Sequence, residues 1–347
     1  MKVAAIEAIP YALPFREPYV TARGRLERRE LVLVRLRSDD GAEGLGEAVA
    51  MSLRGGPPAE ALAREITSIG AERVPAALPA GLSSPARAAL ELACLDLEAK
   101  VAGVPLWRAL GAVSAQPVRC NATLVAGPPA AVAADAGSWA ERGFTTFKLK
   151  VGVPGDVGQV EAVRRAVGPD ARLRVDANGT WGVEEAVLRL TAMERHGIEL
   201  AEQPAADLEG LAAVRDQTAI PIAADESVTG PGDARRAREL GACQLATVKL
   251  AKVGGIRAAQ AVAAELPVYL SSALDGPIGI AAAAHAAQAM RPALPWRELA
   301  HGLATQLLFS ETVASAECTL RDGLLHLPEG PGLGVELDEW ALERCRI

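Results

Sequence analysis

The sequence predicts an α/β fold in which a barrel of alternating strands and helices follows an N-terminal α+β domain. Charged residues end five consecutive runs of aliphatic and β-branched residues, spaced 26, 26, 23 and 24 positions apart: Lys150, Asp176, Glu202, Asp225 and Lys249. A spacing of about 25 residues accommodates one strand, one helix and two short loops. The 347 residues also suffice for a smaller second domain, since such barrels take about 200–250 residues.

The N-terminal domain is predicted for residues 1–115. Residues 1–50 read as an antiparallel meander of strand-like runs, with a turn at DDGAEG. A helix is then predicted from Ser84–Pro85, where an N-cap and a first-turn proline coincide, to Gly103.

The barrel is predicted for residues 116–310, where strand-like and helical patterns alternate. VRCNATLV supplies the first strand, and the five charged runs supply the second to the sixth. PVYLSS (267–272) and ELAHG (298–302) read as the seventh and eighth strands, and the nearly apolar stretch 281–290 predicts a buried helix. We expect the last segment, 311–347, to pack on the N-terminal domain rather than on the barrel.

Asp176, Glu202 and Asp225 form a candidate metal site. The carboxyl ends of barrel strands open on one face, so the three side chains should converge. Like charges at close range are costly unless a cation lies among them. An all-oxygen set suits a hard cation, Mg²⁺ before Zn²⁺. The alternative, surface salt bridges near the strand ends, fits less well with three acids at a period of one strand-helix unit.

Three lysines flank these acids. Lys148 and Lys150 share one face of a strand, because alternate residues do, and Lys249 ends the sixth strand, roughly across the barrel mouth. A lysine crowded by a divalent cation and another lysine should lose basicity and exchange protons near neutrality. The alternative is a solvated basic strand edge, but strands inside a barrel have no free edge.

Composition and charge exclude several classes of partner. The net charge is −7 and no basic face is evident, which argues against nucleic acid. No apolar run approaches the ~20 residues of a membrane span, and no signal-peptide pattern opens the chain. The five cysteines are scattered without a C-x-x-C pair, so we expect buried, reduced thiols in a cytoplasmic protein.

The strand-end motifs resemble those of a known family. Lys-x-Lys at 148–150 is followed by DAN at 176–178, EQP at 202–204, ADES at 224–227 and VKLAKVGG at 248–255. This series is similar to the enolase superfamily, specifically its muconate-lactonising subgroup. AALELACLDLEAKVAGVPLWRALG resembles the family's capping-domain helix, and EGPGLGV resembles its C-terminal return. The resemblance implies an α/β modified TIM barrel, (β/α)7β, with an N-terminal α+β capping domain.

The resemblance also implies roles for individual residues and a small carboxylate substrate, and it leaves a homo-oligomer open. Three carboxylates would bind Mg²⁺, with Mn²⁺ as a substitute: Asp176, Glu202 and Asp225. Lys150 and Lys249 would serve catalysis from opposite sides of the substrate. Lys148 would support Lys150. Two further residues would lie next to these groups: Asn178 and Glu226. Superfamily members generally combine a Lys or His base with Mg²⁺.

Within the subgroup, the loops after the last two strands resemble those of o-succinylbenzoate synthases. SSALDG after the seventh strand gives candidate substrate contacts at Ser271, Ser272 and Asp275. After the eighth strand, 301–306 lacks the Asp-x-Asp pair that dipeptide epimerases commonly carry for a substrate ammonium. Lys252 departs from the synthase pattern, since a lysine at this position is more typical of epimerases and cycloisomerases. A surface charge at a helix end would also explain it.

Two arginines of the N-terminal domain are further candidates for substrate binding. Arg23 and Arg25 lie in a loop that could neutralise a dianionic substrate. Exposed surface arginines are the commoner explanation for such residues.

The resemblance therefore implies an o-succinylbenzoate synthase-like dehydratase of menaquinone biosynthesis. It would convert 2-succinyl-6-hydroxy-2,4-cyclohexadiene-1-carboxylate to 2-succinylbenzoate through a Mg-stabilised enediolate, with Lys150 as the base. The alternatives are a dipeptide epimerase or N-acyl amino acid racemase, or a cycloisomerase, using the same two lysines. A barrel that binds a metal–carboxylate ligand without turnover is a remote alternative, and the intact set of five site residues argues against it.

Overall fold

The computed structural model describes residues 2–21, 24–71, 74, 78–290 and 295–347. Its N-terminal part is a three-stranded antiparallel sheet with helices packed against it, and the second strand pairs with both others. The elements are β1 (Val3–Thr21), β2 (Gly24–Ser38), β3 (Glu43–Val49), α1 (Ala59–Thr67), α2 (Ser84–Val101) and α3 (Leu106–Ala109).

Two glycines of β3 let α2 lie directly on the sheet. A Cβ atom at Gly44 would lie 2.1 Å from the carbonyl oxygen of Ala93, and one at Gly46 would lie 2.0 Å from that of Ala89. Any side chain would therefore force the helix away from the strand. Because alternate residues of a strand face opposite sides, Glu47 points to the other side of the sheet, toward the barrel.

The barrel is a parallel sheet of seven strands that neighbour each other in chain order. All five of the predicted charged strands end at or one residue before the expected charge, which confirms the predicted alternation. A short β4 (Val118–Arg119) precedes the seven barrel strands: β5 (Ala122–Leu124), β6 (Thr146–Lys150), β7 (Arg172–Asp176), β8 (Ile198–Glu202), β9 (Ile222–Ala224), β10 (Leu245–Val248) and β11 (Val268–Leu270).

The predicted eighth strand is reduced to two bridging residues that close the barrel. His301 forms a parallel bridge with Cys120, and Gly302 forms one with Ser271. The backbone N–H of Gly302 donates to Leu270, and that of Asn121 donates to His301. The segment thus joins the last strand to the first.

Helices surround the barrel, and one of them lies at the junction with the N-terminal sheet. The predicted buried helix is present at Pro277–Ala289, where it packs between β11 and elements β3 and α3. The helices are α4 (Pro129–Glu141), α5 (Asp156–Val167), α6 (Val183–Glu194), α7 (Leu208–Arg215), α8 (Pro231–Leu240), α9 (Leu250–Val253), α10 (Ile256–Glu265) and α11 (Pro277–Ala289).

The C-terminal segment contacts both the N-terminal sheet and β4, the short strand that precedes the seven barrel strands. It comprises β12 (Ala314–Ala316), β13 (Thr319–Arg321), β14 (Leu324–His326), β15 (Glu336–Leu337) and α12 (Glu339–Cys345). Arg35 of β2 donates to Glu339 at 2.5 Å, and the backbone N–H of Ile347 donates to Pro10 at 3.2 Å. The β13–β14 hairpin pairs with β4, beside the first barrel strand, so the expectation that this segment avoids the barrel is wrong. The domain boundaries at 115 and 310 stay predictions.

All five cysteines are buried free thiols, as expected. Within the described ranges, no helix combines the length and the apolar character that crossing a membrane requires.

Candidate active site

Three carboxylates meet at one end of the barrel. Asp176 and Glu202 end β7 and β8 and lie opposite each other in the register of the two strands. Asp225 follows the last residue of β9. All three side chains are fully buried, so their charges are stable only with close partners.

Lysine side chains supply those partners. The Lys148 ammonium lies 2.9 Å from Asp176 and 2.7 Å from Glu202, so it joins two of the acids. Lys150 donates to the Oδ2 atom of Asp176 at 2.6 Å. Lys249 donates to Asp225. Each of the three acids is thus paired with a lysine, and the three lysines line one cavity.

The acids and the lysines hold each other in their charged forms. Burial raises the pKa of the Asp176 carboxyl, but the ammonium groups of Lys148 and Lys150 outweigh it and lower that pKa below its usual range. Burial is likewise the largest effect on Lys150 and opposes its charge, yet Asp176, Tyr19 and Glu202 together outweigh it and raise the pKa of the ammonium. The expected loss of lysine basicity presupposed a cation among the carboxylates, so it stays a prediction.

The three carboxylates fit a hard divalent cation in donor chemistry. They provide only oxygen donors, from three successive strand ends, in a buried site. As arranged here, no three acidic, histidine or cysteine side chains of the described residues stand close enough to enclose an ion, and Lys148 lies between two of the acids. Holding a cation would therefore require Lys148 to give up part of these contacts.

Asn178 and Glu226 lie beside Lys150, at the positions expected for supporting groups. The Oδ1 atom of Asn178 accepts a hydrogen bond from Lys150 at 3.1 Å, and its Nδ2 atom donates to Glu226 at 3.1 Å. Asn178 has a left-handed backbone with φ of 50°, which asparagine tolerates better than most residues. Asn178, held by Glu226, thus gives the ammonium of Lys150 a second acceptor besides Asp176.

Lys252 is a site residue whose importance the sequence reasoning underrated. Its interpretation as a surface charge is wrong, because the side chain is buried and its ammonium lies 2.8 Å from the Oδ1 atom of Asp225. It also donates to the carbonyl oxygen of Thr247 at 3.2 Å. A signal was present in the spacing, since residues three apart on a helix lie near each other and Lys252 follows Lys249 by three.

Gln203, within the EQP motif, secures the loop that carries Asp225. Its Oε1 atom accepts hydrogen bonds from the backbone N–H groups of Asp225, at 2.7 Å, and Ser227, at 3.2 Å. Its Nε2 atom donates to the carbonyl oxygen of Ala205 at 2.8 Å. The sequence identified the motif but gave this residue no role.

A cavity of about 720 Å³, counting its open mouth, lies above the lysines. Four cationic side chains line it, and no Asp or Glu is among its described wall residues: Lys148, Lys150, Lys249 and Arg29. Tyr19, Met51, Leu53 and the cationic Arg29 reach it from the N-terminal part. The N-terminal part therefore adds one cation and apolar surface to a cavity whose barrel end is basic.

The loop after β11 supplies polar walls. Ser271 and Ser272 line the cavity as predicted. Asp275 does not; its carboxylate lies behind the wall, where it accepts hydrogen bonds from the Ser272 hydroxyl at 2.9 Å and the Ala273 N–H at 2.6 Å. Asp275 thus shapes the loop instead of lining the cavity.

Arg29 stands where the sequence had placed other arginines. Arg23 lies outside the described residues. The Arg25 side chain is 60% exposed and pairs with Glu27, so the structure does not bring it to the cavity. Arg29, on the same strand, is buried, lines the cavity and donates to the carbonyl oxygen of Ala273 at 2.7 Å.

Thr305, in the short helix that follows the barrel closure, is a further wall residue that the sequence did not single out. It is buried, and its hydroxyl has no hydrogen-bond partner among the described residues.

Buried acids and lysines at the carboxyl ends of barrel strands, around one cavity, are typical of the active sites of TIM-barrel enzymes. Residues 131–341 match the family model "Enolase C-terminal domain-like", and residues 5–111 match "Mandelate racemase / muconate lactonizing enzyme, N-terminal domain". The chain belongs to the enolase superfamily, in its muconate-lactonising-like subgroup.

Curated relatives carry several activities. Muconate cycloisomerase 1 of Pseudomonas putida is 33% identical, over 99% of this chain and 98% of that protein. L-Ala-D/L-Glu epimerase of Bacillus subtilis (strain 168) is 32% identical, over 96% and 97%. o-Succinylbenzoate synthase of Thermobifida fusca (strain YX) is 42% identical, over 66% and 71%. Membership in the family therefore leaves the reaction to be argued from the site.

Solved structures agree with the fold over nearly the whole chain. Muconate lactonizing enzyme from Pseudomonas fluorescens, complexed with muconolactone, has a TM-score of 0.91 at 30% identity and covers 100% of this chain and 99% of that one. Dipeptide epimerase from Enterococcus faecalis V583, complexed with Mg and the dipeptide L-Leu-L-Tyr, has a TM-score of 0.89 at 28% identity, over 97% and 100%.

Proposed function

We propose that this chain is an o-succinylbenzoate synthase-like dehydratase acting on 2-succinyl-6-hydroxy-2,4-cyclohexadiene-1-carboxylate. The observation that carries the proposal is the charge of the cavity, whose described walls include four cations and no acid. This substrate has two carboxylates and no ammonium, so it complements such walls. The relative at 42% identity with this activity supports the same choice.

The carboxylates would hold Mg²⁺, for which Mn²⁺ should substitute because both suit oxygen donors: Asp176, Glu202 and Asp225. When bound, the cation would bind the substrate's ring carboxylate and offset the negative charge that develops on it. The lysines contribute the proton chemistry, and the cavity walls contribute binding.

Lys150 is the proposed general base. Asn178 and Asp176 hold its ammonium at the cavity wall, and the neutral amine form would remove the substrate's α-proton. The C–H electron pair then forms the new ring double bond as the C–O bond breaks. The same lysine returns its proton to the departing hydroxide, which leaves as water, in the syn geometry that the family resemblance implies. Aromatisation of the ring favours this second step.

Lys249 would act from the other side of the cavity as a fixed cation. It projects from the end of β10, four strands away from Lys150 on β6, and it is held by Asp225. Its ammonium would face the ring and stabilise negative charge there without transferring a proton.

A second candidate is an N-acyl amino acid racemase. Two buried lysines from opposite sides line one cavity, an arrangement that also serves removal of a proton from one face and return to the other. An N-succinyl amino acid is dianionic too, so the cavity charge does not distinguish it. The buried contact between Lys252 and Asp225 gives weight to this alternative and to a cycloisomerase.

A dipeptide epimerase fits the cavity less well. A dipeptide carries a free ammonium, and that charge needs an acidic partner when it is taken out of water. The described walls offer none, and residues 301–306 contain no carboxylate.

An assay panel tests the proposal. The cyclohexadiene substrate, both enantiomers of several N-succinyl amino acids, cis,cis-muconate and L,L- and L,D-dipeptides are each incubated with the purified protein and Mg²⁺. We expect kcat/KM to be highest for dehydration of the cyclohexadiene. The proposal is wrong if that compound is inert while another member of the panel is turned over.

A further inference from the structure

The interior of the barrel below the carboxylates contains a second layer of side chains. Arg174 lies two residues before Asp176 on β7, so both side chains point the same way. Tyr269 of β11 is also fully buried there, and it packs in a small apolar cluster with inward residues of other strands: Leu200, Ala223, Leu245 and Leu299.

Tyr269 joins this layer to the carboxylates. Its hydroxyl donates a hydrogen bond to the Oε2 atom of Glu202, and that same carboxylate faces Lys148 on its other side. Glu202 therefore has one neutral donor, from below, and one charged donor, from β6, two strands away.

Arg174 fixes the ring of Tyr269. Its guanidinium carbon lies 4.9 Å from the ring centroid, in the range of a cation–π contact. The guanidinium is itself held by Glu199, at 2.5 Å, and by the carbonyl oxygen of Ala300, at 2.7 Å. The hydroxyl is thus aimed at Glu202 from a rigid support.

The two donors to Glu202 should respond differently to a cation. An ammonium is repelled by a divalent ion that binds the same carboxylate, whereas a phenol is neutral near pH 7, since its ordinary pKa is about 10. Tyr269 can therefore keep its hydrogen bond in the loaded site while Lys148 cannot keep its full contact. Groups that hold a metal ligand in place commonly change metal affinity by about 10- to 100-fold when they are removed.

We infer that Tyr269 is a positioning residue for divalent metal binding, in which its hydroxyl orients Glu202 and Arg174 braces the ring. The inference rests on the proposed metal site but not on the identity of the substrate. It assigns the residue no contact with substrate and no part in proton transfer.

The test uses Tyr269→Phe, which keeps the ring over Arg174 and removes only the hydroxyl. Tyr11→Phe is the matched control, because Tyr11 is the other fully buried tyrosine that donates to a carboxylate, Glu47, at 2.7 Å. Isothermal titration with Mg²⁺ gives the Kd of each protein after chelation. We expect the Kd to rise by about 10-fold or more in Tyr269→Phe and to stay within about twofold in Tyr11→Phe.

A second measurement uses the unaltered sequence, so it does not depend on whether Tyr269→Phe folds. The chain has three tyrosines, so 3-fluorotyrosine labelling gives a simple ¹⁹F NMR spectrum, assigned with Tyr11→Phe and Tyr19→Phe. On Mg²⁺ titration the Tyr269 resonance should shift in step with binding, and that of Tyr11 should not.

Each outcome bears on one claim. The inference is overturned if Tyr269→Phe binds Mg²⁺ with unchanged affinity, or if the Tyr269 resonance does not shift at saturating Mg²⁺. Either result leaves the proposed reaction intact. Failure of the parent protein to bind Mg²⁺ overturns the metal site and this inference with it. Weaker Mg²⁺ binding in both Tyr269→Phe and Tyr11→Phe also counts against it, because the effect would then be one of general stability.

Discussion

Glu47 of the N-terminal sheet accepts a hydrogen bond of 2.7 Å from the backbone N–H of Gly276, at the start of barrel helix α11. The carboxyl also accepts from Gly279 and from the Tyr11 hydroxyl. A Cβ atom at Gly276 would lie 2.6 Å from a Glu47 oxygen, so only glycine leaves room for this contact. The loop before the helix carries Ser271 and Ser272, and Glu47 thereby ties a cavity wall to the N-terminal sheet.

The first prediction concerns the pH dependence of stability. Burial and the nearby Asp275 raise the pKa of Glu47 from 4.5 to about 8. The folded state therefore binds more protons than the unfolded state between these values, and the free energy of unfolding falls as the pH rises through the interval. In Glu47→Gln this titration is absent, so the decrease between pH 5 and 8 should be smaller by roughly 3 kcal/mol.

Urea denaturation at a series of pH values measures this effect. Glu27→Gln is the control, because Glu27 is exposed and its removal changes the net charge by the same amount. Its curve should parallel that of the parent. Parallel curves for the parent and Glu47→Gln would contradict the assignment of the pH dependence to Glu47.

The second prediction concerns the metal. Chelation should abolish turnover, and Mg²⁺ or Mn²⁺ should restore it, because the candidate ligands are all oxygen donors. Asp176→Asn, Glu202→Gln and Asp225→Asn should each lower kcat/KM by several orders of magnitude. Full turnover of a chelated, metal-free sample, verified by elemental analysis, would refute the metal assignment.

Much of the site was predictable because strand ends recur at a fixed period. Once Lys150, Asp176 and Glu202 are placed at the ends of successive parallel strands, their convergence follows from barrel geometry alone. The same reasoning placed Asp225 and Lys249, and the structure pairs each of the three acids with a lysine that lines the cavity.

The distal end of the cavity was not predictable in this way. Arg25 and Arg29 are four residues apart on β2. Because alternate residues of a strand face the same side, both arginines face the same side of β2. Arg29 is buried because Ala273, 244 residues further along the chain, packs against it. Likewise, Lys252 is buried by Asp225, which comes from another strand. Such burial depends on contacts between distant segments, and local patterns carry no information about them.

The third prediction concerns the two arginines of β2, of which Arg29 is buried at the cavity and Arg25 is exposed. Arg29→Met, which keeps an apolar stem, should raise KM for the dianionic substrate by about 10-fold or more, as expected for loss of a charged hydrogen-bond donor. The kcat value should fall less. Arg25→Met removes an exposed arginine of the same strand and should leave KM unchanged. Steady-state kinetics with an unchanged KM in Arg29→Met would remove Arg29 from the substrate site.

The last prediction separates a lyase from a racemase. Syn elimination requires proton transfer by one lysine only, so Lys249→Arg, which keeps the positive charge, should be less damaging than Lys150→Arg by about 10-fold or more in kcat/KM. A racemase needs a base on each face, and both substitutions would then be severe in at least one stereochemical direction.

Proton exchange decides between these outcomes. Each variant is incubated in D₂O with each enantiomer of an N-succinyl amino acid, and incorporation at the α-carbon is followed by ¹H NMR. For a lyase we expect any exchange to depend on Lys150 and to persist in Lys249→Arg. If Lys150→Arg still exchanges one enantiomer and Lys249→Arg still exchanges the other, each lysine serves as a base on its own face. That result, together with an inert cyclohexadiene, would identify the protein as a racemase and refute the dehydratase.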